Sequence, residues 1–196
     1  GRTSGGPGGG VYMTKDAGKT WARLTKGLPD SPVGKIAVSY APSRPGRAYA
    51  LIETGERGSL WRSDDDGENW RVVNHSRLLN ERPHYYTRML VMPDNANEVY
   101  FPSNGMGVTY DGGDTTEQLR GWGGDNHDMW VDPTNASRLM IGNDLGVMIS
   151  TTRGREWNTL RLPIAQMYHV ATDTRIPYHV YGQMQDYYSM RAPSNN

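Results

Sequence analysis

The octapeptide Thr14–Trp21, TKDAGKTW, and a second copy at Ser63–Trp70, SDDDGENW, share the pattern Ser/Thr-x-Asp-x-Gly-x-Thr/Asn-Trp. Two further copies are incomplete. Thr109–Thr116 ends in threonine instead of tryptophan, and Ser150–Trp157 carries Thr152 in place of the aspartate. The aspartate positions of successive copies are 49, 46 and 41 residues apart. A period in the forties is typical of solenoids, propellers and arrays, so the repeat decides the architecture.

Each copy separates two short strand-like segments, so the pattern predicts the turn of a β-hairpin. The aspartate can accept hydrogen bonds from backbone N–H groups further along the turn, and the glycine can adopt the positive φ that the reversal needs. The tryptophan is expected to pack the hairpin onto its neighbour. We therefore assign a structural role to the repeat residues Asp16, Gly18, Trp21, Asp65, Gly67, Trp70, Asp111, Gly113 and Trp157.

A second strand pair precedes three of the four copies, and two hairpins per repeat make a four-stranded antiparallel sheet, which is one blade of a β-propeller. Whole blades are predicted over residues 35–74, 87–120 and 128–161. The hairpin at 11–25 and the strand pair at 168–181 would complete a fourth blade from the two chain ends, which closes the ring and leaves no exposed sheet edge. A fifth, irregular blade and a piece of a larger propeller are the alternatives.

Composition agrees with an all-β domain of short strands and many turns, because only 36% of the 196 residues are hydrophobic and 24 are glycine. We expect a flexible Gly-rich arm over 1–10, a propeller over 11–186 and a tail over 187–196. The 21 basic and 21 acidic residues balance, so neither nucleic acid nor a membrane is an expected partner. A small-molecule substrate and a monomer are expected instead. No leader is visible, and the absence of cysteine excludes thiolate metal sites.

The repeats resemble the Asp-box, or bacterial neuraminidase, repeats. Their superfamily of β-propellers includes sialidases, xyloglucanase-type glycoside hydrolases, sortilin-type receptor domains and photosystem assembly factors. Three segments resemble a bacterial branch of sortilin-like propeller proteins: His127–Pro133, Gly142–Val147 and Tyr181–Asp186. The resemblance implies a propeller fold and favours a secreted or periplasmic location. The three-arginine clamp and the Tyr–Glu nucleophile pair of sialidases are not identifiable in this sequence.

Functional residues are expected at one end of the strands. In a propeller, the loops that enter the innermost strand and the loops that join the second strand to the third surround one mouth of the central channel. The blade boundaries place the loops 74–88, 121–128, 142–146 and 182–187 there. These loops are rich in the oxygen donors that calcium takes in about six- to eight-fold coordination. The predicted metal ligands are Asp125, Asp128, Asn143, Asp144 and Asp186.

The same loops carry groups for acid–base chemistry and for ligand contact. The predicted catalytic residues are His127, Asp128 and His84, because a histidine oriented by a carboxylate beside a metal can activate water. The predicted substrate contacts are Tyr85, Tyr86, Trp122, Gln185 and Tyr187.

Three functions remain open for these residues. The first is metal-assisted hydrolysis of small esters, with lactones favoured. The second is a non-catalytic propeller that binds a glycan, a peptide or a partner protein. The third is a glycoside hydrolase, which needs two carboxylates facing a groove and would use Asp128 with Asp144 or Asp186.

Overall fold

The computed structural model describes residues 4–54, 59–144, 146–160, 167–184 and 188–195. The fold is an all-β propeller, built from antiparallel sheets in which each strand pairs with the next one along the chain. The chain divides into two compact units, residues 1–160 and residues 161–196. In the described part of the chain, no helix is long and apolar enough to cross a membrane.

The first unit begins with a hairpin, sheet I, and continues with three four-stranded sheets. Sheet I consists of β1 (Val11–Met13) and β2 (Ala22–Leu24). Sheet II consists of β3 (Ile36–Tyr40), β4 (Ala48–Ile52), β5 (Leu60–Ser63) and β6 (Arg71–Asn74). Sheet III consists of β7 (Leu90–Val91), β8 (Val99–Pro102), β9 (Met106–Thr109) and β10 (Glu117–Leu119). Sheet IV consists of β11 (Asn126–Val131), β12 (Leu139–Asn143), β13 (Gly146–Ser150) and β14 (Asn158–Leu160).

Two short helical turns lie between sheets II and III: a 3-10 turn at Arg77–Asn80 and α1 at Pro83–Tyr86. The second unit contains sheet V, which consists of β15 (Met167–Thr172), β16 (His179–Met184) and β17 (Ser189–Pro193).

The cores of the first unit lie between consecutive sheets, because buried strands use both of their faces. All five residues of β4 are buried, and successive side chains of a strand point to opposite faces. Ala50 and Ile52 pack with Val11 of sheet I, whereas Tyr49 and Leu51 pack with residues of sheet III. A third cluster joins sheets III and IV in the same way. Burial of each of the larger aliphatic side chains, such as Leu51 and Ile52, stabilises the fold by about 1.5–3 kcal/mol.

The predicted propeller class is confirmed, and sheets II, III and IV correspond to the three blades predicted as whole. Three details differ from the prediction. Strand β11 begins at Asn126 instead of Met129, with a bulge at His127. Strand β17 (Ser189–Pro193) was not predicted, because the residues from 187 onward were assigned to a tail. The closing pair between the chain ends is not among the strand pairings of the described residues.

All four repeat turns share one hydrogen bond. The N–H of the glycine donates to the hydroxyl of the residue four positions earlier, at 2.8 Å from Gly18 to Thr14 and at 2.8 Å from Gly154 to Ser150. The two middle copies have the same bond at 2.9 Å. Each of the four glycines has a positive φ, between 76° and 106°, which L side chains rarely adopt.

The repeat aspartate adds a second set of bonds to the turn. Asp16 accepts from the N–H and the hydroxyl of Thr20, and Asp111 does the same with Thr115. In the fourth copy the Oγ1 of Thr152 accepts from the N–H of Glu156 at 2.9 Å. These bonds engage the carboxylates of Asp16 and Asp111 within their own turns, and the structural role of the aspartates stays a prediction.

The repeat tryptophans differ in burial. Trp70 is 6% exposed, donates from Nε1 to the carbonyl of Gly67 at 2.9 Å, and packs on sheet I. Trp157 packs against the core between sheets III and IV. Trp21 is 61% exposed, which differs from the predicted packing role. The reason is geometric: Trp70 and Trp157 face the preceding sheet, and no sheet precedes β1–β2 in the described residues.

Arginines join neighbouring sheets at the end that carries the repeat turns. Arg153, at the fourth turn, donates to both oxygens of Asp94 at 2.7 and 2.9 Å and to Glu98 at 2.8 Å. The Glu98 side chain is only 6% exposed, and Tyr100 donates a further bond to it. Arg47, which directly precedes β4, donates to Asp64 and also to the side chain of Asn97 next to sheet III. These arginine contacts link sheet II to sheet III and sheet III to sheet IV, and so fix the spacing of the three sheets.

We expect Asp111→Ala to lower the free energy of unfolding by about 1 kcal/mol at neutral pH, the typical cost of losing a side-chain acceptor for backbone N–H groups. Burial opposes the charged form of Asp111, but hydrogen bonds from Thr115 and Thr109 outweigh burial and lower its pKa from 3.8 to about 2. Its charged form therefore stabilises the fold above pH 3.8, and this stabilisation is lost as the pH falls towards 2.

Urea unfolding across this pH range measures the effect. The difference between the wild type and Asp111→Ala should shrink on acidification. Asp114→Ala, an exposed neighbour in the same turn, serves as the control and should change little. An equal loss in both variants would contradict the structural role of Asp111.

Candidate functional site

The loops opposite the repeat turns of sheets III and IV are joined to each other by backbone hydrogen bonds. The N–H of Asp125 donates to the carbonyl of Asn104 at 3.0 Å, and the N–H of Asn126 donates to Ser103 at 2.8 Å. The side chain of Asn126, which is fully buried, also donates to the carbonyl of Gly105 at 3.0 Å. The loop that enters sheet IV is therefore held against the β8–β9 loop of sheet III.

The turn α1 presents two adjacent tyrosines in different environments. Pro83 occupies its first position, where the missing N–H costs no hydrogen bond. The hydroxyl of Thr87 donates to the carbonyl of Pro83 at 2.6 Å and closes the turn. Consecutive residues of a helical turn point about 100° apart, since there are about 3.6 residues per turn. Tyr86 is accordingly buried at 2% exposure, whereas Tyr85 is 41% exposed.

Five residues form what we call the tyrosine–histidine cluster: Tyr85, Tyr86, Asp125, His127 and Asp144. The two tyrosine rings meet edge to face, with centroids 4.8 Å apart at 84°. The imidazole of His127 lies 5.6 Å from the ring of Tyr85 and 5.8 Å from the ring of Tyr86. Such aromatic contacts each contribute about 0.5–1.5 kcal/mol beyond area burial, so the rings hold one another in place.

A short polar contact connects β11 to the residue that follows β12 within the cluster. Nε2 of His127 lies 2.6 Å from Oδ1 of Asp144, which follows β12. The register of β11 shifts at His127, and a bulge of this kind re-aims the side chain at that position. The His127 side chain is 27% exposed and that of Asp144 is 54% exposed, so solvent and ligands can reach the pair.

A second polar pair anchors the buried tyrosine. The hydroxyl of Tyr86 donates a hydrogen bond to Oδ1 of Asp125. Burial, then this hydrogen bond and the negative charge of Asp125, raise the pKa of Tyr86 well above its usual value of 10. Tyr86 therefore stays a neutral donor. Asp125 itself has a φ of 50°, a left-handed conformation that aspartate tolerates better than most residues.

Two arginines flank the tyrosine pair in the sequence, and one of them, Arg82, contacts the cluster. The guanidinium of Arg82 lies over both tyrosine rings, 5.4 Å from the centroid of Tyr85 and 5.6 Å from that of Tyr86. Arg88 reaches Oδ2 of Asp128 at 3.6 Å, and the Asp128 side chain is 78% exposed. The surface therefore carries positive and negative groups around one exposed aromatic ring.

The structure brings together some of the predicted site residues and separates others. The predicted metal ligands Asp125, Asp128 and Asp144 each have a different partner: Tyr86, Arg88 and His127. Within the described ranges, no group of three or more His, Asp or Glu side chains could hold a metal ion. Asn143 is the last residue of β12, opposite Asn126, and Asp186 lies outside the described residues. The calcium site therefore stays a prediction.

The predicted catalytic residues and substrate contacts do not all lie in the tyrosine–histidine cluster. His84 is exposed, and no hydrogen bond or ring contact joins its imidazole to another described residue. Trp122 lies in the core between sheets III and IV at 7% exposure, stacked 5.2 Å from Tyr100. Its ring is covered by protein instead of facing a ligand. Gln185 and Tyr187 lie outside the described residues.

Sequence reasoning missed Arg82 and Arg88. The segment Arg82–Arg88, RPHYYTR, places one arginine on each side of the tyrosine pair. This flanking arrangement was the available signal, because arginines beside exposed aromatic rings commonly stack on them.

No protein-family model and no curated protein matches the sequence. Among solved structures, the chain is similar to the GH74 enzyme of Niastella koreensis, with 18% identity, a TM-score of 0.63, and coverage of 94% of this chain and 30% of that one. It is also similar to the GH74 xyloglucanase from Xanthomonas campestris, with 16% identity, a TM-score of 0.62, and coverage of 97% and 32%.

A third similarity, to YCF48 from Cyanidioschyzon merolae, has 13% identity, a TM-score of 0.53, and coverage of 81% of this chain and 53% of that one. The chain spans about a third of the length of the two GH74 structures. Identities this low show a shared fold and no more. The comparisons therefore agree with the resemblance found in the sequence: this chain has a β-propeller fold with xyloglucanase-like structural relatives.

Proposed function

We propose that the tyrosine–histidine cluster is a carbohydrate-binding surface. The observation that carries the proposal is the exposed ring of Tyr85, held edge to face by Tyr86 and bordered by charged side chains. A pyranose has C–H groups on its faces and hydroxyls around its edge. An aromatic ring can pack on such a face while charged groups beside the ring bond the hydroxyls.

The polar groups of the surface have hydrogen-bond donors and acceptors that their partners within the protein do not use. A carboxylate has about four lone-pair sites, so Asp144 can accept from sugar hydroxyls while it holds His127. Arg88 and Asp128 are 3.6 Å apart and largely exposed, which leaves donors and acceptors open to a ligand. Because the surface carries both positive and negative side chains, it favours a neutral polyol over a charged ligand.

Rigidity also favours binding. The ring of Tyr85 contacts Tyr86, His127 and the guanidinium of Arg82, so its orientation is set before a ligand arrives. A preorganised tyrosine loses little conformational entropy on binding. One structural relative is named as a xyloglucanase, which supports xyloglucan oligosaccharides as the first ligands to test.

We expect Tyr85→Ala to weaken binding of a xyloglucan oligosaccharide about fivefold, since loss of one aromatic stacking partner typically costs about 1 kcal/mol. Asp144→Asn should weaken it less, because the amide keeps one acceptor oxygen. Isothermal titration calorimetry measures both effects. The matched control is Tyr40→Ala, a tyrosine 53% exposed on β3. Equal affinities of Tyr85→Ala and the wild type would contradict the proposal.

Hydrolysis of small esters, with lactones favoured, is a second candidate because of one observation: the 2.6 Å contact between His127 and Asp144. An imidazole oriented by a carboxylate can remove a proton from water as the water attacks a carbonyl carbon, and it can return that proton to the alkoxide oxygen as the acyl C–O bond of the ester breaks. Asp144 would hold the ring and stabilise its positive charge. Three of the metal ligands predicted for this reaction, Asp125, Asp128 and Asp144, have separate partners, and the calcium site stays a prediction to which no step is assigned.

If this second function holds, His127→Gln should reduce hydrolysis of a lactone panel by about 10²- to 10⁴-fold, the usual contribution of a general base. Asp144→Asn should reduce it less, through loss of orientation. The control is His75→Gln, an exposed histidine outside the cluster. Hydrolysis that is absent in the wild type, or unchanged in His127→Gln, would remove the second candidate and leave the binding proposal intact.

A further inference from the structure

A cavity of about 90 Å³ lies between sheet I and sheet II, away from the tyrosine–histidine cluster. It adjoins the start of β1, the end of β2, the start of β3 and the end of β4. Its floor is aliphatic, formed by Val11, Leu24, Leu28, Val33, Ile36 and Ile52. Val11, Val33 and Ile52 are at most 6% exposed, so the floor belongs to the core between the two sheets.

The rim of the cavity is polar. Arg23, Thr25, Asp30 and Ser31 line it together with the floor. The guanidinium of Arg23 donates to the carbonyl of Gly9 at 2.7 Å and to the hydroxyl of Ser31, which itself donates to Gly9 at 2.8 Å. A Cβ on Gly10 would lie 2.8 Å from Nε of Arg23, so glycine permits this close approach. The guanidinium is thereby held at the cavity.

Arg23 has a positive charge that no described carboxylate neutralises by an ion pair. Guanidinium has five N–H donors in a fixed planar fork, and the two partners named above use only part of that capacity. A carboxylate is the anion whose geometry matches the remaining donors. Asp30 on the same rim disfavours a ligand of higher negative charge.

The size of the floor sets the size of the apolar group. An engineered apolar cavity of about 150 Å³ binds benzene, which has six carbons. By the same proportion, a cavity of 90 Å³ accommodates about four carbons. This matches a branched alkyl group such as isobutyl.

We propose that this cavity binds a small aliphatic monocarboxylate, with the branched alkyl group on the aliphatic floor and the carboxylate on the guanidinium of Arg23. A free short-chain acid and the C-terminal residue of a peptide that ends in leucine share this chemistry. The site is independent of the carbohydrate-binding proposal, because the two share no residue.

Calorimetric titration with three probes tests the proposal: isovalerate, N-acetyl-leucine and the neutral N-acetyl-leucine amide. We expect at least one of the acids to bind with a Kd of about 1 mM, a scale reasonable for so small a ligand. The amide should bind at least tenfold more weakly, because it lacks the charge. Tighter binding of N-acetyl-leucine than of isovalerate would assign a peptide C-terminus, and equal or weaker binding would assign a free acid.

Variants locate the bound acid. Arg23→Gln should weaken binding at least tenfold, whereas Arg155→Gln, an exposed arginine at the fourth repeat turn, should not change it. Leu28→Phe should exclude both acids by filling the floor, with cooperative unfolding as the check on its fold. The proposal is overturned if neither acid binds at millimolar concentration, if the amide binds as well as the acid, or if Arg23→Gln binds like the wild type.

Discussion

The hydrogen bond from the glycine N–H to the hydroxyl four residues earlier is the constraint on which the first unit depends. It is present in all four repeat turns at 2.8–2.9 Å, including the fourth copy, which has no aspartate. The bond fixes the reversal between the third and fourth strands of each repeat. In the second and fourth copies, the outer hairpin then places its tryptophan, Trp70 or Trp157, against the preceding sheet. The hydroxyl–glycine pair is therefore the constant element of the repeat, and the aspartate reinforces it.

The charged side chains at the two ends of the sheets consequently have different roles. At the repeat end, carboxylates and guanidiniums are used for structure, as in the contacts of Arg153 with Asp94 and Glu98. At the opposite end, the exposed Tyr85 and the half-exposed Asp144 make no hydrogen bonds that stabilise a repeat turn. The cavity beside Arg23 lies at that end as well. Residues that remain free to meet a ligand thus concentrate on one side of the first unit.

The repeat spacing was sufficient to predict the blades and the loops that share an end, because hairpin turns have local sequence signals. Contacts between residues that are distant in the sequence have no such local signal, so the repeat spacing did not predict them. The turn α1 is too short for a helical period, and the bulge that re-aims His127 depends on pairing with β12. Trp122 fell in a predicted mouth loop, yet its ring covers Gly154, where a Cβ would lie 2.1 Å away. Only the packed sheets reveal that this tryptophan belongs to the core.

The claim that ligand binding occurs opposite the repeat turns is tested most directly by amide NMR of the protein titrated with xyloglucan oligosaccharides. Shift changes should concentrate at the amides of Tyr85, Tyr86, His127 and Asp144 and in the loops beside them. Amides of the repeat turns at residues 14–21 and 63–70 should remain unchanged. Shift changes centred on the repeat turns, or no change anywhere at saturating ligand, would contradict the account.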